Sequence, residues 1–78
     1  MDIAVIGGGN GCYAAASEFS EKGHAVRLWR QNADAFQSIL DNRKLKLTDR
    51  LGTRDVAIHL PTLNLREAIA GAELVVIP

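Results

Sequence analysis

The sequence predicts an α/β fold in which a parallel sheet carries helices on both of its faces. Two short apolar runs, residues 3–6 and 74–77, lack the polar alternation of a half-exposed strand and are typical of strands covered on both sides. Segments with helical spacing lie between the apolar runs, so that strands and helices alternate along the chain. Glycines crowd the junction after the first run, where such a chain turns from strand into helix.

The first half of the chain predicts a strand, a helix, a second strand and a second helix. The first helix is expected over about residues 10–22, and Gly23 follows it as a residue that can take a positive φ. Residues 24–29 form the second strand. Asn32 is expected to cap a second helix over about residues 32–40, where apolar side chains recur at helical spacing.

The middle of the chain predicts a departure from the parallel sheet. Residues 44–48 alternate strictly between polar and apolar side chains, and a second strand-like run at residues 55–60 follows after a segment that contains a glycine. We expect a small antiparallel excursion that leads into the third parallel strand near residues 57–60. Pro61 is expected to end that strand.

The last segment predicts one more helix and one more strand. Asn64 and Glu67 have the spacing of a capping box, which indicates a short helix through Ala70. The apolar run at residues 74–77 forms the fourth parallel strand. A complete doubly wound sheet has further strands, so we expect the sheet to be truncated after this strand and the chain to be the opening part of a longer protein.

Length and composition exclude several classes of function. The 78 residues suffice for one small domain, and nine basic residues balance nine acidic ones, so no basic surface for nucleic acid is expected. A single cysteine excludes an internal disulfide and argues against a thiolate metal site. No apolar run approaches the roughly 20 residues of a membrane helix. Asp2 directly after Met1 is unlike a signal peptide, so we expect a cytoplasmic protein.

The glycine-rich segment at residues 7–12 carries the chemistry. Glycines between an apolar strand and a helix are typical of a Rossmann-type, dinucleotide-binding fold. Gly7 would allow the tight turn, and Gly9 would let the backbone approach a pyrophosphate. The backbone N–H groups expected to meet the phosphates are those of Asn10, Gly11 and Cys12. A glycine turn without a ligand is disfavoured, because three consecutive glycines carry an ordering cost that a plain turn does not require.

Cys12 occupies the third small position of this motif, where Gly or Ala is usual. Cysteine is only slightly larger, so the helix and the strand can still pack closely. A thiol at a helix N-terminus can also act as a redox sensor. We favour the simpler interpretation, in which Cys12 is a small buried packing residue.

Arg30 follows the second strand at the position where NAD sites place an acid for the ribose 2′-hydroxyl. A guanidinium instead matches a 2′-phosphate, and Gln31 and Asn32 can add neutral hydrogen bonds. The sequence therefore favours NADP over NAD and argues against FAD. The alternative is that Arg30 is a solvated surface charge that lies over the adenine or points away.

Three stretches of the chain, residues 3–11, 23–29 and 68–78, resemble the N-terminal domain of opine (octopine/nopaline-type) dehydrogenases. They are also similar to glycerol-3-phosphate dehydrogenases and ketopantoate reductases. The Gly-Gly-Gly-Asn-Gly stretch leans toward the opine group, whereas the Arg-Leu-Trp stretch is shared with the glycerol-3-phosphate group. The resemblance implies an NAD(P)-dependent oxidoreductase that reduces an imine or ketone, with catalytic residues in a helical C-terminal domain. An opine or imino-acid dehydrogenase is the main expectation, and a glycerol-3-phosphate dehydrogenase or a ketopantoate reductase-like enzyme is the alternative.

The resemblance also implies roles for individual residues. The phosphate loop would comprise Gly7, Gly9, Asn10, Gly11 and Cys12. Arg30, with Gln31 beside it, would distinguish NADP from NAD at the ribose 2′ position. The backbone of Ile77 and Pro78 would line the nicotinamide half of the cofactor. No catalytic residue is assigned, so the chain alone is expected to be inactive. The expected partner of the full-length enzyme is a small-molecule substrate. A homodimer, if one forms, is expected to form through the C-terminal domain.

For the other side chains that are able to take part in binding or catalysis, structural roles are also weighed. Tyr13 lies in the first helical turn and can touch a cofactor, but a packed or surface aromatic is favoured. Trp29 can flank an adenine or pack in the core. His24 and His59 have no carboxylate constellation around them and are expected to be structural or exposed. The remaining alternatives are a flavoprotein and a non-catalytic NAD(P)-binding module.

Overall fold

The computed structural model describes residues 1–7, 10–31 and 36–78, except for the side chains of Asn10 and Asp49. Within these ranges the strands are β1 (Asp2–Ile6), β2 (Ala25–Trp29), β3 (Lys44–Asp49), β4 (Gly52–Ala57), β5 (Leu60–Thr62) and β6 (Leu74–Val76). The helices are α1 (Asn10–Glu21), α2 (Gln37–Asn42) and α3 (Leu65–Ile69).

Four of the strands form one parallel sheet in the order β5-β2-β1-β6. β1 pairs with β2 through Ile3 and Val26 and with β6 through Ile3 and Leu74. The order of the strands reverses at β1, because β2 and β5 are added on one side of β1 and β6 is then added on its other side. The carboxyl ends of all four strands therefore meet at one edge of the sheet, with a topological switch point between β1 and β6.

Helices cover both faces of this sheet, which confirms the predicted fold class. Ile3 and Val5 of β1 are buried in the same core cluster as Ala16 of α1. Ala4 points to the opposite face, since side chains alternate along a strand, and it is fully buried there. α3 packs against β1, β2 and β5, and its Ala68 is also fully buried. The apolar run without alternation arises because both faces of β1 are covered.

The end of α1 has the hydrogen-bond pattern of a Schellman motif. The N–H of His24 donates to Phe19 O and that of Gly23 to Ser20 O, each at 3.1 Å. Gly23 takes a φ of 92°, which confirms the predicted stop. The His24 and Phe19 rings meet edge to face at 6.3 Å, so His24 has the structural role that was expected. β2 begins at Ala25 rather than at His24, because His24 belongs to the helix cap.

α2 differs from its predicted bounds. It begins at Gln37, with Phe36 in the N-cap position and no side-chain cap, whereas the predicted cap Asn32 lies outside the described residues. It extends to Asn42, past the predicted end near residue 40. Arg43 ends the helix by adopting a left-handed conformation with a φ of 56°. The apolar spacing indicated which side of the helix is buried, but it contained no signal for the stop.

The predicted antiparallel excursion is the hairpin of β3 and β4. Their register runs from Lys44 opposite Ala57 to Asp49 opposite Gly52. Arg54 of β4 binds the carboxylate of Glu21 at the end of α1, with Nε and Nη2 at 2.6 and 2.8 Å from its two oxygens. The hairpin is thereby fastened to α1 by a two-pronged ion pair.

The third parallel strand lies later in the chain than predicted. Residues 57–60 were expected to form it, but Ala57 belongs to β4, and β5 contains Pro61 in its middle, opposite Leu28. Proline has no N–H to donate, so it is tolerated only where one side of a strand needs no ladder bonds. β5 is an outer strand of the four-stranded sheet, which satisfies that condition. Pro61 therefore lies within the strand and does not end it.

The predicted capping box of α3 is confirmed in one of its two arms. The Asn64 side chain accepts a hydrogen bond from the Glu67 N–H at 3.2 Å. Instead of returning to Asn64, the Glu67 carboxylate accepts from the Thr62 hydroxyl at 2.8 Å, and that hydroxyl accepts from the Asn64 N–H at 3.0 Å. The Thr62 hydroxyl thus lies between the Glu67 carboxylate and the Asn64 N–H, in place of the direct second hydrogen bond of a capping box. α3 ends at Ile69 with Ala70 as its C-cap, one position before the predicted end.

Candidate functional site

The candidate site lies at the carboxyl edge of the sheet, where the junction after β1 meets the segment after β6. A Cβ placed on Gly11, in the first turn of α1, would lie 3.5 Å from the Cβ of Pro78. The start of α1 and Pro78, two residues after β6, therefore lie side by side. In open α/β sheets, ligands bind in the crevice at such a switch point.

Gly7 starts the junction, and its backbone conformation and surroundings both disfavour a larger residue. Its φ of 147° is a conformation that side chains with a Cβ rarely adopt. A Cβ on Gly7 would also lie only 2.7 Å from Cys12 Sγ. The Gly7 N–H donates to Trp29 O at 3.3 Å, which ties the junction to the end of β2. The positive φ of Gly7 is compatible with the predicted tight turn, whose next two residues, Gly8 and Gly9, lie outside the described residues.

Cys12 fills the space that Gly7 leaves beside α1. The cysteine is 3% exposed and belongs to the core cluster that includes Ile3 and Ala16. Its thiol therefore faces the core and not the solvent, which confirms the packing interpretation. A buried apolar environment gives a structural rather than a reactive thiol, and the redox-sensor hypothesis loses its basis.

The other members of the predicted phosphate loop are placed only in part. Gly9 lies outside the described residues, and Asn10 is described through its backbone alone, as the first residue of α1. Gly11 is exposed in the first turn. The first N–H groups of a helix have no intrahelical partner and are available to an anion. The role of these groups in phosphate binding stays a prediction.

Arg30 lies directly after β2 and turns toward α1. Its Nη1 donates a hydrogen bond to the hydroxyl of Tyr13, and its Cζ lies 5.1 Å from the centre of the Tyr13 ring. Both side chains are partly buried, and Tyr13 packs against the core cluster. Arg30 is thus not a fully solvated surface charge, while Gln31, the next residue, is exposed. The sequence analysis did not foresee the contact between Tyr13 and Arg30.

Trp29 links the ends of two strands at the same edge. Its Nε1 donates to Leu63 O at 2.9 Å, directly after β5, and the ring is partly buried. Packing between strand ends is the structural role that was expected as one alternative. Contact with an adenine stays a prediction.

Ile77 and Pro78 extend from β6 beside the junction. The Ile77 side chain is 74% exposed and Pro78 is also exposed. β6 ends at Val76, so the predicted last strand residue, Ile77, is already outside the ladder. A Cβ built on Gly11 would lie 3.5 Å from the Pro78 Cβ, so this segment runs beside the first turn of α1. Its role at the nicotinamide half of a dinucleotide stays a prediction.

A groove of about 650 Å³ opens where α1, α2 and the hairpin meet. Its lining comprises Tyr13, Ser38, Ile39, Asn42, Lys44, Leu45, Lys46 and Asp55. Tyr13 is thus shared between the groove and the contact with Arg30. The sequence carried no signal for the groove, because its walls come from segments that only the fold brings together.

Two absences hold within the described ranges. No three His, Cys, Asp or Glu side chains in residues 1–7, 10–31 and 36–78 are grouped as ligands for a metal ion. In the same ranges no helix has the length and apolar character that crossing a membrane requires.

Comparisons with known proteins agree with this geometry. The family profile described as the N-terminus of NAD-dependent glycerol-3-phosphate dehydrogenase matches residues 2–78. Two proteins named glycerol-3-phosphate dehydrogenase (NAD(P)+), from Thermoanaerobacter sp. (strain X514) and Corynebacterium jeikeium (strain K411), are each 32% identical over 78 residues. Each alignment covers 99% of this chain and 23% of the relative. No solved structure matches the chain at a significant level.

These matches distinguish between the enzyme families that the sequence resembles. They confirm an N-terminal domain of the NAD(P)-dependent dehydrogenase type, and they favour the predicted alternative, glycerol-3-phosphate dehydrogenase, over an opine dehydrogenase. The chain spans less than a quarter of the length of these curated relatives, at 23%.

Proposed function

This chain belongs to the family of N-terminal domains of NAD-dependent glycerol-3-phosphate dehydrogenase, and we propose that it binds the nicotinamide dinucleotide of such an enzyme. The diphosphate would lie at the start of α1, between the ends of β1 and β6. The nicotinamide supplies hydride transfer when it is bound, and the residues of this chain bind and orient it.

One observation supports this assignment most strongly. At the switch point, Gly7 takes a φ of 147°, which residues with a Cβ rarely adopt, and a Cβ there would lie 2.7 Å from Cys12 Sγ. α1 begins at Asn10, and the first N–H groups of a helix have no intrahelical partner and lie at the positive end of its dipole. Gly11 adds no side chain to this surface, so a phosphate can approach the backbone closely.

The proposed contacts divide between the two ends of the dinucleotide. Backbone N–H groups around Gly9, Asn10, Gly11 and Cys12 would bind the diphosphate. The backbone after β6, at Ile77 and Pro78, would line the nicotinamide half.

The adenosine end is assigned to the end of β2. Arg30 would bind a 2′-phosphate with charge-assisted hydrogen bonds, and Gln31 would add a neutral one. The partly buried position of Arg30 supports the choice of NADP over NAD, because a guanidinium held at the sheet edge is better placed than a solvated one.

The substrate follows from the names of the relatives. We propose that the full-length protein transfers hydride between glycerol 3-phosphate and NAD(P)+. An opine-type reaction, which reduces an imine, is the second candidate because of the Gly-Gly-Gly-Asn-Gly stretch at residues 7–11.

The test uses the purified full-length protein with each cofactor and each substrate class. We expect NADP-linked oxidation of glycerol 3-phosphate and no consumption of NADPH with a 2-oxo acid and an amino acid. The reverse pattern would establish the opine reaction. Binding of NADP without turnover of either substrate would indicate a non-catalytic module, and failure to bind either nucleotide would contradict the proposal as a whole.

A further inference from the structure

We propose that Tyr13 is a positioning residue for cofactor selection: it holds the Arg30 guanidinium at the place where a 2′-phosphate binds. The inference rests on the proposed function, since it concerns the adenosine end of the same dinucleotide site. It assigns a role in specificity to a side chain on α1 that lies outside both the glycine segment and the end of β2.

The contact between Tyr13 and Arg30 constrains the guanidinium in two directions. The Tyr13 hydroxyl accepts a hydrogen bond from Nη1, which acts in the plane of the guanidinium. The ring centre lies 5.1 Å from Cζ, within the range of a cation–π interaction. A guanidinium has five N–H donors in a rigid fork, so one bond to the hydroxyl sets the direction of the others.

Tyr13 is itself held by the core. It follows Cys12, which is 3% exposed, and its ring packs against the buried cluster. Arg30 follows the β2 segment that contains Leu28, which is fully buried. The pair therefore connects two rigid elements, the first turn of α1 and the end of β2. These elements carry the proposed diphosphate site and the proposed 2′ selector.

Holding Arg30 in advance affects one cofactor more than the other. A long flexible side chain loses rotamer freedom when it binds a phosphate, and a side chain that is already ordered loses less. NADPH carries the 2′-phosphate and would benefit from this ordering, whereas NADH lacks the group. Removing the support should thus weaken NADPH binding and leave NADH binding nearly unchanged.

The experiment measures the dissociation constants of NADPH and NADH for the full-length protein by calorimetric titration at one ionic strength. Tyr13→Phe removes the hydroxyl and keeps the ring, Tyr13→Leu removes both, and Arg30→Ala removes the selector. Phe19→Leu is the matched control, because Phe19 is a partly buried aromatic residue near the other end of α1.

We expect a graded loss of selectivity. Tyr13→Phe should lower the preference for NADPH about threefold, the effect of one ordinary hydrogen bond. Tyr13→Leu should lower it roughly tenfold, since the ring contact is lost as well. The NADH dissociation constant should stay within about twofold in both variants, and Phe19→Leu should keep the full preference.

The outcomes separate this inference from the proposed function. If neither cofactor binds the wild-type protein, the proposed function itself is wrong. If the wild-type protein binds both cofactors equally, Arg30 is not a selector and the inference fails with it, while dinucleotide binding stands.

If Arg30→Ala abolishes the preference but both Tyr13 variants keep or increase it, only the role of Tyr13 is wrong. Equal weakening of both cofactors by Tyr13→Phe would likewise overturn it, because Tyr13 would then support the shared site. Tyr13→Phe changes a single oxygen, so it gives an answer even if Tyr13→Leu does not fold.

Discussion

The two ends of α1 are each marked by a glycine with a positive φ, but the two glycines have different surroundings. Gly7 precedes the helix with a φ of 147°, and a Cβ there would lie 2.7 Å from Cys12 Sγ. Gly23 follows the helix with a φ of 92°, and nothing lies within 4 Å of the position of its Cβ. At Gly23, only the backbone conformation favours glycine. At Gly7, both the backbone conformation and the packing against Cys12 favour it.

This difference shows how the candidate site depends on the core. The atom that crowds Gly7 belongs to Cys12, a 3%-exposed member of the central cluster. The first residue of the proposed diphosphate site is therefore constrained by buried packing. The far end of α1, in contrast, is fastened by a cap and by the exposed ion pair of Arg54 with Glu21.

The largest effect should come from alanine substitution of the two glycines. We expect Gly7→Ala to lower the free energy of unfolding by about 4 kcal/mol, because backbone strain and overpacking each cost roughly 1–3 kcal/mol. Gly23→Ala is the matched control and should cost about 1–2 kcal/mol, since only the backbone term applies there. Urea denaturation of both variants checks the difference, and equal losses would show that Cys12 exerts no pressure on Gly7.

A double substitution sharpens the same comparison, with a smaller effect. Cys12→Ala removes the Sγ atom that a Cβ at Gly7 would meet, so adding it to Gly7→Ala should relieve the overpacking. We expect the double variant to be more stable than the sum of the single losses predicts, by about 2 kcal/mol. The coupling is measured as a double-mutant cycle in urea, with Gly23→Ala combined with Cys12→Ala as the additive reference. Additivity at position 7 would contradict the steric account.

The smallest effect is expected at the ion pair that Arg54 and Glu21 form at the C-terminal end of α1. The side chains of Arg54 and Glu21 are 33% and 37% exposed, and ion pairs of this kind contribute little. Arg54→Gln should lower the free energy of unfolding by about 0.5 kcal/mol at low salt, and by less at high salt. Measured losses above about 2 kcal/mol, or a loss that does not depend on salt, would show that the hairpin needs this pair.

The sequence predicted the elements around the glycine junction well. β1, α1 and β2 were placed to within one residue at their ends, because the apolar run of β1 and the glycine stop at Gly23 are local signals. The asparagine cap of α3 was equally local, since Asn64 and Glu67 lie three positions apart.

The elements that were misplaced depend on information from distant parts of the chain. Pro61 was expected to end the third strand, and only the sheet order shows that β5 is an outer strand that tolerates it. The second arm of the cap of α3 runs through Thr62, which belongs to the preceding strand.

The candidate site was predicted as a set of residues but not as an arrangement. The motif predicted that Gly7 and Cys12 belong to one junction between a strand and a helix, but the steric fit between them depends on the folded backbone. The contact of Tyr13 with Arg30 joins residues that lie 17 positions apart. A signal for it existed, because the first turn of α1 and the end of β2 share one edge of a parallel sheet.

The most direct test of the account is a crystal structure of the full-length protein with NADP bound. The account predicts diphosphate oxygens within about 3 Å of the backbone nitrogens of Gly11 and Cys12, with the 2′-phosphate at Arg30. A diphosphate bound elsewhere, with the junction between β1 and α1 empty, would contradict it.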